Sequence, residues 1–337
     1  MLRIDPRQSR RSNRIEERCF LRVCLHAAVG LEPSQGRADA RVVLDQLAKG
    51  IELAPPMRSQ VPLFADGCAR LGVLQPSKLF KRFTALALRE QRRNTIIMQE
   101  RARVLAAFEA EGIVGTEIRG PAIGLNYYPA PNLRHTHALR WAVFEHDALD
   151  GLIKALLKAG WQRLPAQEPS MGHMVRLGAA SGTELVLYNR LVPHVSYAPE
   201  QAIMNSIEFQ VAAILCQAHF EQQQQTKRWI CDLSYIFANK RVDEERVAEL
   251  VSTYGMAGSC AARFREMLTV LPFGDRSEPG RIAAAHLQKL ELRSGGPPRD
   301  STAAKAALRC SAPPRRGRGR RALGALRRGM RPWFERG

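Results

Sequence analysis

The sequence predicts an α/β fold in which a small mixed sheet lies between N- and C-terminal helical regions. Three observations carry that expectation. Apolar residues recur at helical spacing up to residue 112 and again after residue 199. Between those stretches, short β-type runs are separated by glycine- and proline-rich turns. Of the 337 residues, 45% are hydrophobic but only 7% aromatic, so the core is built from Leu, Ala, Val and Ile. A chain of this length holds one large or two modest domains.

Residues 1–14 form a basic arm, and a helical region spans 15–112. Over 15–30, Phe20, Val23, Cys24, Ala27 and Ala28 share one face. Glycine and serine in 32–36 predict a loop. Helices follow over 40–53 and 56–71, the second opening on proline in its first turn. A long helix is expected over 77–111, with Ser77 as N-cap and Gly112 as the stop. It sets apolar positions such as Phe83, Ile97, Val104 and Phe108 against an arginine face at Arg89, Arg92, Arg93, Arg101 and Arg103.

The mixed region is 113–198. Strands are predicted at 113–118, 138–144, 173–177 and 184–192, with a helix over 147–159 and a loop over 165–172. The Gly-Ala-Ala-Ser-Gly stretch at 178–182 reads as a hairpin turn. A second helical region covers 199–272, with helices at 200–221, 226–239, 243–254 and 258–271. Asp243 is a natural N-cap there, and Glu244 and Glu245 suit the positive end of that helix. The glutamines at 222–225 read as a polar loop. Residues 273–337 form a basic tail, expected to be largely disordered apart from one helix over 281–292. Its 313–321 segment is too rich in Arg, Gly and Pro to build a core.

The net charge of +19 is concentrated at the ends. Residues 301–337 carry +10 and residues 1–24 carry +4, which leaves +5 for the 276 residues between them. The tail has the charge to meet nucleic-acid phosphates or an anionic membrane surface without sequence preference. Trp333 and Phe334 lie beyond its charge cluster, so it is not a stacking platform. The seven cysteines are scattered without a Cys-x-x-Cys, which reads as buried free thiols in a reducing compartment. No apolar run reaches the ~18 residues of a membrane span, and Glu16, Glu17 and Arg22 spoil a signal peptide. The expected location is therefore the cytoplasm.

Several short motifs occur in a particular order. Arg119-Gly120-Pro121-Ala122 follows the first strand, and Pro131-Asn132-Leu133-Arg134 precedes the second. Later come the strand Leu185–Leu191, then Leu215-Cys216-Gln217-Ala218-His219 and Trp229-Ile230-Cys231-Asp232-Leu233. Over residues 15–272 this order resembles an uncharacterised nucleotidyltransferase family, a bacterial branch of the DNA polymerase β-like superfamily. The resemblance implies a sheet of nucleotidyltransferase type. It also implies an Asp-x-Asp pair that shares one face of a strand and, with a third acid on a neighbouring strand, holds Mg²⁺. The glycine turn would let backbone amides approach phosphates.

In this chain the Asp-x-Asp positions are Ala138 and Arg140, and the neighbouring strand offers Val186 and Tyr188. An arginine repels Mg²⁺ but pairs with phosphate oxygens. The expectation is therefore a degenerate nucleotidyltransferase-family protein that binds a nucleotide or phosphorylated ligand at Arg119, Gly120, Arg134 and Arg140. Two alternatives stand beside it. One is an active Mg²⁺-dependent enzyme drawing acids from Glu117, Glu145, Asp147 and Glu184. The other is a non-enzymatic scaffold acting through its helical surfaces and basic tail.

Two further constellations carry less chemistry. His135-Thr136-His137 with His146 has a metal-like His-x-His spacing but no acid or cysteine cluster, and reads as polar turn residues. Cys216, His219 and Asp232 fall on helices with no nucleophile elbow, which favours core packing over hydrolysis. Glu145 and Asp147 fit the acidic first turn of a helix.

Overall fold

The computed structural model describes residues 16–30, 32–73, 78–165, 173–220, 227–271 and 277–294. The expectations for Ser77, for 222–225, for most of the 165–172 loop and for the basic ends fall outside them. The N-terminal region is helical: α1 (Glu17–Cys24), α2 (His26–Val29), α3 (Pro33–Ala48), α4 (Pro55–Arg58), α5 (Val61–Arg70) and α6 (Lys78–Ala110). Two expectations are corrected here. The loop expected at 32–36 is the first turn of α3. Pro33 suits a helix start, and Gly36 is buried, so packing outweighs its weak propensity. The helix expected over 56–71 is two, because Pro62 has no N–H to bond the Arg58 carbonyl.

The sheet has five strands: β1 (Thr116–Glu117), β2 (Ala138–Ala142), β3 (Gln162–Arg163), β4 (Met174–Gly178) and β5 (Glu184–Tyr188). Their order is β1-β2-β5-β4-β3. β2 and β5 run parallel, and the other neighbours are antiparallel. Between β1 and β2 lie α7 (Pro121–Tyr127) and a 3-10 turn (Pro131–Leu133); α8 (His146–Lys158) follows β2. The first strand is shorter than 113–118. Gly115 lies so close to the Phe108 ring that a Cβ would come within 2.5 Å of Cε1. β3 lies in a stretch for which no strand was expected. β5 stops at Tyr188, short of 192, where the chain turns ahead of Pro193.

The second helical region comprises α9 (Gln201–Met204), α10 (Ile207–Phe220), α11 (Arg228–Asn239), α12 (Glu244–Thr253), α13 (Ala257–Val270) and α14 (Glu278–Ser294). The single helix expected over 200–221 breaks because the Ser206 hydroxyl accepts the Phe209 N–H at 3.2 Å and caps α10. Asp243 caps α12 as expected, accepting from the Glu245 and Arg246 amides. α14 outruns its expected 281–292 span and buries Ala283, His286 and Leu290 completely.

Strand alternation divides the core in two. Leu139, Trp141 and Val143, with Leu185 and Leu187, pack against Ile97, Val104 and Phe108 of α6 and the apolar face of α8. Ala138, Ala142, Val186 and Tyr188 face the other way, into the larger helical core. α6 spans both: Phe83, in its N-terminal half, meets Phe64 edge-on at 5.9 Å within that larger core.

Candidate functional site: an arginine cluster beside the Gly120 turn

Positions 138 and 140 share the bundle-facing side of β2, where the methyl of Ala138 is followed by the half-buried guanidinium of Arg140. The turn after β1 lies directly over them. A Cβ on Gly120 would sit 3.3 Å from the Ala138 carbonyl oxygen and 3.9 Å from the Arg140 nitrogen. Gly120 has φ 64°, and Arg119, at φ 57°, is the one non-glycine in the left-handed region among the described residues. That conformation costs a side-chain-bearing residue energy, so surrounding contacts must hold it. Gln210 is one such contact: its Oε1 accepts the Arg119 N–H at 3.3 Å, and its Nε2 donates to the Glu117 carbonyl at 2.7 Å.

Two further arginines, Arg134 and Arg228, join Arg119 and Arg140 around this turn. Arg134, from the approach to β2, is buried and forks onto Asp232, with Nε to Oδ1 and Nη2 to Oδ2 both at 2.8 Å. Its Nη1 donates to Thr136 Oγ1 at 2.9 Å. The Tyr128 hydroxyl donates to Asp232 Oδ1 at 2.7 Å. Arg119 donates through Nη1 to Gln217 Oε1 at 3.0 Å. Arg228 opens α11 one helical turn before Asp232, and so shares its face. Burial first, and then the charges of Arg134, Arg119 and Arg140, push the Arg228 guanidinium down to about 10, while Asp232 acts the other way. The carboxyl of Asp232 would be raised by its burial, but Arg134 and Arg119 hold it below its ordinary value. Four guanidinium groups thus feel one another around a single fully buried carboxylate.

Two donors in this cluster remain unused. The Nε of Arg228 and the Nε2 of Gln217 are sealed from solvent and have no hydrogen-bond partner among the described residues. A buried N–H without an acceptor costs about 1–3 kcal/mol. Both are donors, so the missing chemistry is an acceptor, and the surrounding charge makes an anionic one favourable.

Of the sequence candidates, Arg119, Gly120, Arg134 and Arg140 come together here. Three of the acids do not join them. Glu184 is the register partner of Ala138, but its carboxylate is held by Arg176 of β4, with Nη2 to Oε2 at 3.0 Å. Glu145 and Asp147 are exposed at the start of α8. Glu117 does stand beside the turn: its carboxylate accepts from the Ala122 backbone N–H and from Arg101 Nε, the latter at 2.7 Å, and burial raises its carboxyl despite Arg101 and Arg134. A divalent cation does not fit these donors: the strand offers a methyl and a guanidinium, Glu117 is taken by Arg101, and the other charged neighbours are arginines. Among the described residues no group of three or more His, Cys, Asp or Glu is arranged to hold a metal ion.

The histidines separate as well. His135 and His137 bond each other through Nε2, and the Glu90 carboxylate accepts from His135 Nδ1 at 2.6 Å. Burial lowers His135, so the pair is carboxylate and neutral imidazole at neutral pH, and Arg93, 2.8 Å from Glu90, supplies the positive charge. His146 lies past the other end of β2, 3.7 Å from Asp150. Cys216 lies beside Cys260, whose thiol is pushed up first by their hydrogen bond, while Asp232 is committed to Arg134 and Tyr128.

Arg228, Gln217, Tyr128 and the role of Asp232 escaped the sequence reading. Gln217 and Asp232 stand inside the two helical motifs quoted above, and Arg228 directly precedes the second. Their i, i+4 spacing was the available signal. No family model, curated protein or solved structure matches this chain.

Proposed function

We propose that this protein binds a phosphorylated ligand, a nucleotide foremost, in the arginine cluster beside the Gly120 turn, without metal-dependent nucleotidyl transfer. The observation that carries this reading is the pair of buried, unpartnered donors, Arg228 Nε and Gln217 Nε2, within a group of four arginines. A phosphate group supplies what they lack: several acceptor oxygens and up to two negative charges. Burying like charges together is expensive unless an anion offsets them. The resemblance of the Gly120 turn, Arg134 and β2 to a nucleotidyltransferase core favours a nucleotide over a simple anion. Arginine in place of the second strand carboxylate leaves direct guanidinium–phosphate pairing as the means of holding it.

Calorimetry with ATP, GTP, CTP and UTP, each with and without Mg²⁺, tests this reading on the wild type, Arg228→Gln and Arg140→Asp. Binding that needs no Mg²⁺ and drops at least tenfold in both variants is expected. Binding only with Mg²⁺ would overturn the metal-free reading in favour of a working transferase. No binding of any nucleotide or of pyrophosphate would favour a scaffold.

A further inference from the structure

The arginine face of α6 divides in two. In its C-terminal half the arginines are committed: Arg101 to Glu117, and Arg103 to Glu100. In the N-terminal half, residues 78–98 contain Lys78, Lys81, Arg82, Arg89, Arg92 and Arg93 but one acid, Glu90. Glu90 is buried and taken by Arg93 and His135. Lys78, Lys81, Arg82, Arg89 and Arg92 are exposed, and none makes a salt bridge among the described residues. At 100° per residue the six cations fall within about a third of the helix circumference. At ~1.5 Å per residue they form a line about 22 Å long.

That line borders a groove. Between α6 and the β4–β5 turn is a concavity of about 260 Å³, lined by Arg89, Arg92, Arg93, Ile96, His137 and Thr183, among others. The turn is fixed by a Gly182 N–H to Ala179 carbonyl bond at 2.9 Å, with Gly182 at φ 82°. His137, in the groove lining, stands three residues after Arg134 and directly before Ala138, so the groove lies next to the arginine cluster. We infer that this groove and the cationic line of α6 bind the phosphodiester backbone of a single-stranded nucleic acid, with its end toward the cluster.

The proposal rests on the phosphate reading of the cluster for where the strand leads, but not for its own charge. Charge complementarity selects a polyanion, and the shape selects a strand. A bilayer surface cannot enter a concavity, and a duplex is too wide for one of this volume. Ile96, 41% exposed, and the exposed His137 ring offer flat or apolar surface to a base between the phosphate contacts.

The test is fluorescence anisotropy of a labelled oligouridylate and oligothymidylate of about 20 nucleotides. It uses the full chain and Arg89→Gln/Arg92→Gln, titrated at several salt concentrations. Both substituted side chains are exposed, so an unchanged melting temperature verifies the fold. The basic ends are the same in both proteins, so a difference reports the groove. Each contact to a single strand contributes ~0.7 to the slope of log K on log salt, so the double variant loses about 1.4 from it. Affinity is expected to fall at least tenfold, with mononucleotide binding retained. An unchanged slope would overturn the proposal and assign binding to the ends, and absence of oligonucleotide binding would overturn it outright. So would binding to phosphatidylserine vesicles that the double variant loses while its oligonucleotide binding is unchanged. If the slope falls as stated but Arg228→Gln leaves nucleotide binding intact, the cluster reading fails and the groove stands.

Discussion

The two faces of β2 solve opposite problems. Leu139, Trp141 and Val143 point toward α6 and α8 into an apolar cluster. Ala138, Arg140 and Ala142 point toward the bundle, where Arg119, Arg134, Arg228 and Asp232 are buried or half-buried close by. The first face gains free energy from every atom that it removes from water. The second takes charges out of water and recovers cost through contacts such as those to Asp232 and Gln217. The contrast is that between an apolar supporting face and a charged face.

Removing the largest side chain of the supporting face has the greatest expected effect. Trp141 is 2% exposed and packs 5.7 Å from the Phe108 ring. Trp141→Ala should cost about 3–5 kcal/mol in urea unfolding, while the folded fraction keeps its anion affinity. If anion affinity fell as steeply as stability, the two faces would not be independent.

Breaking the charged face should cost somewhat less, and on the proposed reading respond to ligand. Asp232→Asn removes the charge that Arg134 grips through both carboxylate oxygens, leaving buried guanidinium groups uncompensated. A loss of about 3 kcal/mol is expected. Added inorganic phosphate should raise the unfolding midpoint of this variant more than that of the wild type, because it replaces the lost anion. Equal responses would show that phosphate does not reach the cluster.

The smallest effect belongs to a buried polar group outside both faces. His286 is fully buried between Phe237 and Phe264, with ring centroids at 5.3 and 5.2 Å, and neither ring nitrogen has a hydrogen-bond partner among the described residues. Burial lowers it from 6.5 to about 4. The unfolded chain therefore binds a proton here that the folded one refuses. Stability is full above pH 6.5 and falls as pH drops toward 4, by about 2 kcal/mol between pH 7 and pH 5. His286→Phe should lose that part of the pH dependence. His137 and His173, also lowered to about 4, act in both proteins, so urea melts at the two pH values isolate His286. An identical pH dependence in the two proteins would show that the imidazole finds water or a partner.

Much of this architecture could be read in advance where a local rule governs. The long helix α6, the Gly112 stop, the Asp243 cap and the hairpin at 178–182 depend on residues near one another in sequence, and all are present. The misses have long-range causes. Gly36 looked like a loop residue until packing buried it, and β3 is a strand only because β4 lies beside it. At the site, Arg119, Gly120, Arg134 and Arg140 could be proposed because they fall within 22 residues along a motif. Arg228, Gln217 and Asp232 could not, because their partners lie about a hundred residues away.

The sequence by itself determined the helix–sheet–helix order, the turn that needs Gly120, and the absence of acids at positions 138 and 140. Each follows from side-chain type and from periods of 2 and 3.6 residues. Only the tertiary structure decided which cations are spent and which are left over. Arg101 and Arg103 look no different in sequence from Arg89 and Arg92 on the same helix. Folding places Glu117 beside the first, while Glu100 takes the second, and it leaves the other two facing a groove without a salt bridge among the described residues. Charge is a property of a residue, but its compensation is a property of the neighbours that folding brings to it.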